Sequence, residues 1–318
     1  MGIKYLNRIL RSQCSDAIQE THLWNLRNKK IAVDISIYMY RFKTEDALIE
    51  NIYLMVSLFK LYKITPIFVF DGKPPEEKYP EIRARKDLKK RSEENYHKLI
   101  ESLDECDDPY IRQEIITNID KEKRNFVRLT KQDLQDVKDL FDAYGMTYVI
   151  ADGEADELCV KLVKKKMVYG CLSEDMDMFV YGCDRVYRYL SLLNNTLIVY
   201  DMKKILEILD LTQTQFREIC VLSGTDYNNG IDNIYMALKI HKRYIKSKET
   251  IDFYKWLERE KYIDDYPKLL STYLMFDIKH APIQENVKKI QIVNKRVQKS
   301  ELREILKKDG FIFSDERF

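Results

Sequence analysis

Short apolar runs alternate with stretches of helical spacing until about Asp201, and beyond it the strand signal stops. KKIAVDIS, TPIFVFDGKPP, MTYVIADGEADE and GCLSEDMD each carry a brief β-branched apolar run, which predicts four buried strands. Between the first two, residues 48–62 repeat apolar side chains at helical spacing (Ile52, Met55, Val56, Phe59). Residues 72–145 hold no strand signal, yet they separate two strands by far more than an ordinary crossover. A helical insertion is expected there. Its second helix starts at Asp108-Pro109, an N-cap followed by proline, with Ile111, Ile115 and Ile119 as its apolar stripe. RVYRYLSLLNNTLIVYD reads as a hairpin turning at Asn194-Asn195. The rest reads as mostly helical.

Acids follow the apolar segments with unusual regularity. Asp34 and Asp71 close the first two, Glu154 and Asp156 the third, Asp175 and Asp177 the fourth, and Asp226 follows VLSG. One aspartate after a strand is ordinarily a cap or turn residue. The repetition is the signal, because ligands of an open parallel α/β sheet bind outside the carboxyl ends of its strands. Acids gathered there repel one another unless cations neutralise them, and an oxygen-only donor set selects hard ions such as Mg2+ or Mn2+. Glu154 with Asp156, and Asp175 with Asp177, are spaced two apart, and on an extended turn such pairs can point to one side. A two-metal site acting on a phosphodiester is the chemistry this predicts, with water as nucleophile.

The charge balance fits that picture. Lys and Arg number 54, Asp and Glu 52, so with acids clustered at one site the cations must dominate elsewhere. Such a charge dipole suits a polyanion. Residues 83–91 carry six cations, of which Arg83, Lys86 and Lys90 share a helical face; Arg85, Lys89 and Arg91 complete the set. Lys121, Arg124 and Arg128 make a second basic stripe in the insertion. Lys239, Lys242, Arg243, Lys246 and Lys248 make a third near the C-terminus. The six cysteines form no CxxC pair and the four histidines no zinc-ligand spacing, consistent with reduced thiols. No apolar run approaches a membrane span, and MGIKYL has Leu6 where a myristoylation site needs Ser or Thr.

MGIKYL, VDIS with Asp34, FDGKPP with Asp71, SEDMD with Asp175 and Asp177, GTDY with Asp226 and the closing FSDERF together resemble the flap endonuclease family, the XPG/Rad2 superfamily of structure-specific nucleases. The resemblance covers nearly the whole chain. It implies a mixed, mainly parallel sheet with helices on both faces, a PIN-like nuclease core formed by 1–71 and 146–226. It also implies a basic helical arch at 72–145 and a helical duplex-binding region at 227–318. By the same resemblance, Asp71, Asp156, Asp175 and Asp177 lie nearest two Mg2+ ions, for which Mn2+ can substitute, while Asp34, Glu154 and Asp226 complete the shell. Lys78 and Arg85 would contact the scissile phosphate. Tyr40 would stack on a flanking base. Gly2, Arg83, Lys86, Lys89, Lys90, Arg124, Arg128, Lys239, Lys242 and Arg243 are the remaining expected DNA contacts.

Two departures stand out. Asp156 occupies a position where the family has Glu, one methylene longer. GTDYNNGIDNIYM lacks the Gly-x-Gly-Pro turn that follows the last acid in the family, and the potassium site of that turn comes into question with it. The implied substrate is branched or flapped DNA cut during replication, repair or recombination. A monomer is expected, without a clamp-binding tail after Phe318. The setting would be intracellular: the nucleus or, for a viral member, the site of viral DNA replication. A non-catalytic branched-DNA scaffold and an RNA-directed nuclease are the rival readings.

Overall fold

The computed structural model describes residues 3–104, 109–278 and 285–312. In chain order it begins with α1 (Leu6–Gln13), β1 (Ile18–His22), β2 (Lys30–Asp34), α2 (Ile35–Thr44), α3 (Leu48–Leu61) and β3 (Thr65–Phe70). Next come α4 (Tyr79–Asp104), α5 (Pro109–Phe126), α6 (Lys131–Tyr144), β4 (Thr147–Ile150), α7 (Ala155–Lys164), β5 (Cys171–Leu172) and α8 (Asp177–Tyr181). β6 (Arg185–Ser191) and β7 (Thr196–Asp201) precede α9 (Met202–Leu209), α10 (Gln213–Ser223), α11 (Ile234–Ser247), α12 (Phe253–Arg259), α13 (Tyr266–Met275), α14 (Glu285–Lys288) and α15 (Lys299–Lys308).

These elements form two compact units, one of Met1–Ile35, Met55–Pro74 and Met146–Lys295, the other of Ser36–Leu54, Pro75–Gly145 and Arg296–Phe318. The first holds a seven-stranded sheet in the order β1-β7-β6-β5-β2-β3-β4. β6, β5, β2, β3 and β4 run parallel, and β7 and β1 are antiparallel to the strands beside them. The sheet is thus mixed and mainly parallel, as the resemblance implies. The central strands are apolar because both faces are covered. Ile31, Ala32, Val33, Ile67, Phe68 and Val69 are fully buried, and Ala32, Ile67 and Val69 share one core with Leu158, Cys159 and Leu162 of α7 and with Leu6, Ile9 and Leu10 of α1.

All four strands expected from the apolar runs are present. β1 was not expected, because its sequence IQETH has no apolar alternation; it survives as a polar edge strand on β7. The expected hairpin is β6–β7. Ser191 pairs with Thr196, so the loop has four residues, with Asn195 at φ 56°.

In the second unit α4 and α5 form a hairpin, bound by Lys89 Nζ to the Val127 carbonyl (3.0 Å) and Arg128 to Glu93 (2.6 Å). Asp108 lies outside the described residues, and α5 begins at Pro109. Of the predicted isoleucine stripe only Ile119 is buried, while Ile111 is 52% exposed, since a two-helix hairpin buries only the seam between its helices. α6 opens with a capping box, Thr130 and Asp133 satisfying each other's backbone amides, and Lys43 adds an ion pair to Asp133 at 2.9 Å.

Candidate active site

Each acid is delivered by the end of a strand or by the turn after it. β2 ends on Asp34, 4% exposed, whose Oδ2 accepts from Ser173 Oγ at 3.0 Å. Ser173 opens the loop after β5. Its hydroxyl also accepts the Asp175 amide (3.1 Å), and Asp175 Oδ1 accepts the Asp177 amide (3.0 Å). This chain of bonds sets the spacing of Asp175 and Asp177 on the extended turn.

Asp71 follows β3, and its Oδ1 accepts the Ala155 amide at 2.9 Å, the first N–H of α7. A carboxylate is favoured at that helix end by the exposed amides and the helix dipole. Gly72 makes the approach possible. Its amide donates to the Gly153 carbonyl at 2.7 Å, and a Cβ there would lie 1.9 Å from the Ala151 carbonyl oxygen. The Gly of FDGKPP is therefore required by two loops that touch through their backbones.

Asp156, in the first turn of α7, shows that these acids converge. Its carboxyl is held well above the usual range, first by burial and then by the charges of Asp175, Asp34, Asp177 and Asp71. Its Oδ1 is buried without a hydrogen-bond partner among the described residues. Glu154 accepts from the Tyr227 hydroxyl. Burial raises the pKa of Tyr227 and of Tyr181, and Glu154 and Asp177 push both further, so those two acids share one surrounding. Asp226 immediately precedes Tyr227 in a half-buried turn.

Among the described residues no three acidic, His or Cys side chains already close into a cage. The donor chemistry nonetheless fits a hard divalent ion. All seven candidates offer oxygen, the buried Asp156 Oδ1 is without a hydrogen-bond partner among the described residues, and burial first and then repulsion from four acids raise Asp156, a repulsion that a cation would relieve.

Sequence reasoning missed three neighbours of this site. Ser173 and Tyr227 bond the acids directly. Arg188, 5% exposed on β6, donates to the Glu174 carbonyl (2.8 Å), Met176 Sδ (2.9 Å) and Asn7 Oδ1 (3.1 Å), clamping the loop that carries Asp175 and Asp177. The available signal was an arginine inside an apolar strand, a residue type rarely buried without partners.

In the second unit Lys78 is buried in a tight turn at Glu76–Lys78, and Arg85 pairs with Glu81. Lys89 lies 4.7 Å over the ring of Tyr40, which is 43% exposed. Lys90 pairs with Glu94 at 3.8 Å, while Arg83, Lys86 and Arg124 are exposed. Gly2 and the FSDERF segment lie outside the described residues.

In the C-terminal region Gly224 adopts φ 104°, and the turn that follows is tied by Asn228 Nδ2 to the Val221 carbonyl (2.9 Å). Asn233 Oδ1 accepts from the amides of Tyr235 (3.0 Å) and Met236 (3.2 Å). Thus two of the first amides of α11 are satisfied by its own cap. Lys239, Lys242 and Arg243 instead line an open cleft of about 590 Å3 between α9 and α11.

The XPG N-terminal domain pattern matches residues 1–93, and the XPG I-region pattern matches 145–226. Flap endonuclease 1 of Glossina morsitans morsitans is 30% identical over 282 residues, covering 82% of this chain and 70% of its own. The chain belongs to the XPG/Rad2 family of flap endonucleases. The family fold extends over both units. The DNA-bound catalytic core of Rad2 superposes with a TM-score of 0.66 at 21% identity, covering 94% of each chain. Human GEN1 bound to Holliday junction DNA gives 0.66 at 19% identity, covering 98% of this chain and 74% of its own. Flap endonuclease-1 of Methanococcus jannaschii gives 0.63 at 21%, covering 93% and 92%. This family member is a nuclease, a phosphodiesterase specific for DNA structure.

Proposed function

We propose that this protein cleaves 5′ flaps or related branched DNA with two divalent ions, Mg2+ in the first instance, held by Asp34, Asp71, Glu154, Asp156, Asp175, Asp177 and Asp226. The observation that carries the reading is Asp156, raised by burial and by four other strand-end acids. Bound ions supply positive charge to the phosphodiester and to the attacking water. The protein's part is to fix the acids. Ser173 spaces Asp34 from Asp175, Arg188 holds the loop between β5 and α8, and Tyr227 orients Glu154.

Lys78 and Arg85 are proposed to hold the scissile phosphate and stabilise its developing charge. The basic helices of 72–145, with Arg83, Lys86, Lys89, Lys90, Arg124 and Arg128, would receive the flap strand. Tyr40 would stack on a flanking base. Lys239, Lys242 and Arg243 would carry the duplex, a role supported by their exposure along one cleft. The setting is proposed to be intracellular and nuclear, at replicating or damaged DNA.

The test is cleavage of a 5′-labelled double-flap DNA with Mg2+, beside the Asp175→Asn protein. A defined product near the junction that the variant fails to make supports the reading. No product from intact, DNA-binding protein on flap, Holliday or bubble substrates overturns it and favours a scaffold.

A further inference from the structure

The amino ends of the parallel strands, opposite the acids, carry the reverse charge. The segments entering three of them, residues 23–31 before β2, 60–64 before β3 and 164–170 before β5, contain no acid, whereas Asp142 precedes β4 and Asp184 precedes β6. Backbone bonds place these segments side by side: Asn28 N to Lys63 O (2.9 Å), Thr65 N to Lys29 O (2.9 Å) and Tyr169 N to Lys30 O (2.7 Å). Adjacent strands lie about 4.8 Å apart. The cations at their starts therefore form one continuous row. Lys30, Lys63, Lys165 and Lys166 in it are exposed, and Asp184 pairs with Lys164 at 2.6 Å.

Two exposed aromatics lie within this row. Lys29 Nζ sits 4.5 Å and the Arg185 guanidinium 4.3 Å from the centroid of Tyr169, which is 37% exposed. The Arg27 guanidinium lies 4.6 Å from the ring centre of Trp24, which is 55% exposed. A ring face attracts one cation. Two cations close to a single small ring leave net positive charge at one place, which attracts an anion. Trp24, in the segment that enters β2, presents its broad indole to solvent beside Arg27. A polyanion that also carries flat rings satisfies both features together, whereas an acidic peptide satisfies only the charge.

We propose that this amino-end face, built on Lys29, Tyr169, Arg185, Arg27 and Trp24, binds a single strand of nucleic acid at a second site remote from the acids. Lys29 and Arg185 take phosphates, and Trp24 stacks on a base. The face would hold an unpaired arm or trailing strand of the branched substrate, and so rests on the proposed function for its biological use but not for its binding.

The test uses the full chain and a fluorescently labelled oligothymidylate, titrated by polarisation at several salt concentrations, with hydrogen exchange read at residues 23–31 and 164–170. Because the cations of 72–145 also take a single strand under the proposed function, the deciding readout is local: the Lys29→Glu/Arg185→Glu protein should lose the oligonucleotide-induced exchange protection at 23–31 and 164–170, and the binding step that tracks it should weaken at least tenfold, with a salt slope shallower by about 1.4, two lost phosphate contacts at about 0.7 each. Trp24→Ala should weaken binding roughly tenfold with the slope kept, since stacking is not a charge effect. The milder Lys29→Gln/Arg185→Gln protein, with its melting curve matched to the parent, guards against a folding defect. Unchanged oligonucleotide affinity and no exchange protection at the face overturn the proposal, as does tighter binding of polyglutamate than of the oligonucleotide. Flap cleavage by the parent is scored separately, so loss of the nuclease reading is visible as absent cleavage with the oligonucleotide still bound at this face.

Discussion

Ser173 donates a 3.0 Å hydrogen bond to Asp34, joining the last residue of β2 to the loop after β5. Both residues are buried, and the same hydroxyl receives the Asp175 amide. Ser173→Ala leaves Asp34 and that amide each short of a partner. Loss of an outer hydrogen bond to a metal-binding carboxylate costs about 10–100-fold in metal affinity or activity. The expected outcome is a rise of that order in the Mg2+ concentration needed for half-maximal cleavage, with folding intact by circular dichroism. An unchanged Mg2+ requirement would remove Ser173 from the site.

Arg188 answers to a different measurement. Its guanidinium is buried and engages Glu174, Met176 and Asn7 through a planar fork. Arg188→Met leaves the Glu174 carboxylate and carbonyl without that partner and should cost about 2–4 kcal/mol, read from the urea midpoint. Arg188→Lys should recover only part of this, since an ammonium cannot reproduce the fork. Cleavage below the melting temperature should fall in both, with Arg188→Lys the less affected.

Charge removal at Asp156 should separate metal binding from folding. Four acids press on this carboxylate. Without divalent ions, Asp156→Asn should therefore melt at a higher temperature than the parent. Adding Mg2+ at about 100 times its Kd should stabilise the parent by about 2.7 kcal/mol. The variant should gain clearly less and should not cleave. Equal gains in both proteins would place the ions elsewhere.

Glu218 on α10 sets an expected pH dependence. Burial first, then the charge of Asp252, raises its carboxyl to about 7, with Arg217 opposing. The folded state thus holds this proton more tightly than the unfolded chain, whose value is about 4.5. The associated stability is fully present below that unfolded value and is lost as pH rises through about 7. Glu218→Gln should flatten the melting-temperature profile over this window and raise stability on its alkaline side. A parent profile flat between pH 5 and 8 would contradict the assignment.

The legibility of the sequence followed burial. β2, β3 and β4 were readable because parallel central strands are covered on both faces and become continuous apolar runs. β1 was unreadable because an edge strand with exposed Gln19 and Glu20 carries no such run. The acids could be named from their positions after strands, but Ser173 and Tyr227 are common residue types that contact them through the fold alone. Arg188 was hidden by an irregularity. Tyr189 adopts φ 55° and the β6–β7 register shifts between Arg188 and Ser191, which breaks the alternation that period-two reasoning assumes.

By itself the sequence determined what is local: which segments extend, which coil, and where each acid stands relative to its strand. Those outcomes depend on neighbours a few residues away. The strand order β5-β2-β3-β4 was decided only by the tertiary structure, and it is this order that brings Asp34, Asp71, Asp156, Asp175 and Asp177 into one field. It also aligned the cations at the opposite strand ends into a single row, though they enter from segments more than a hundred residues apart. Electrostatic repulsion and attraction act through space, so neither site exists until the sheet pairs its strands.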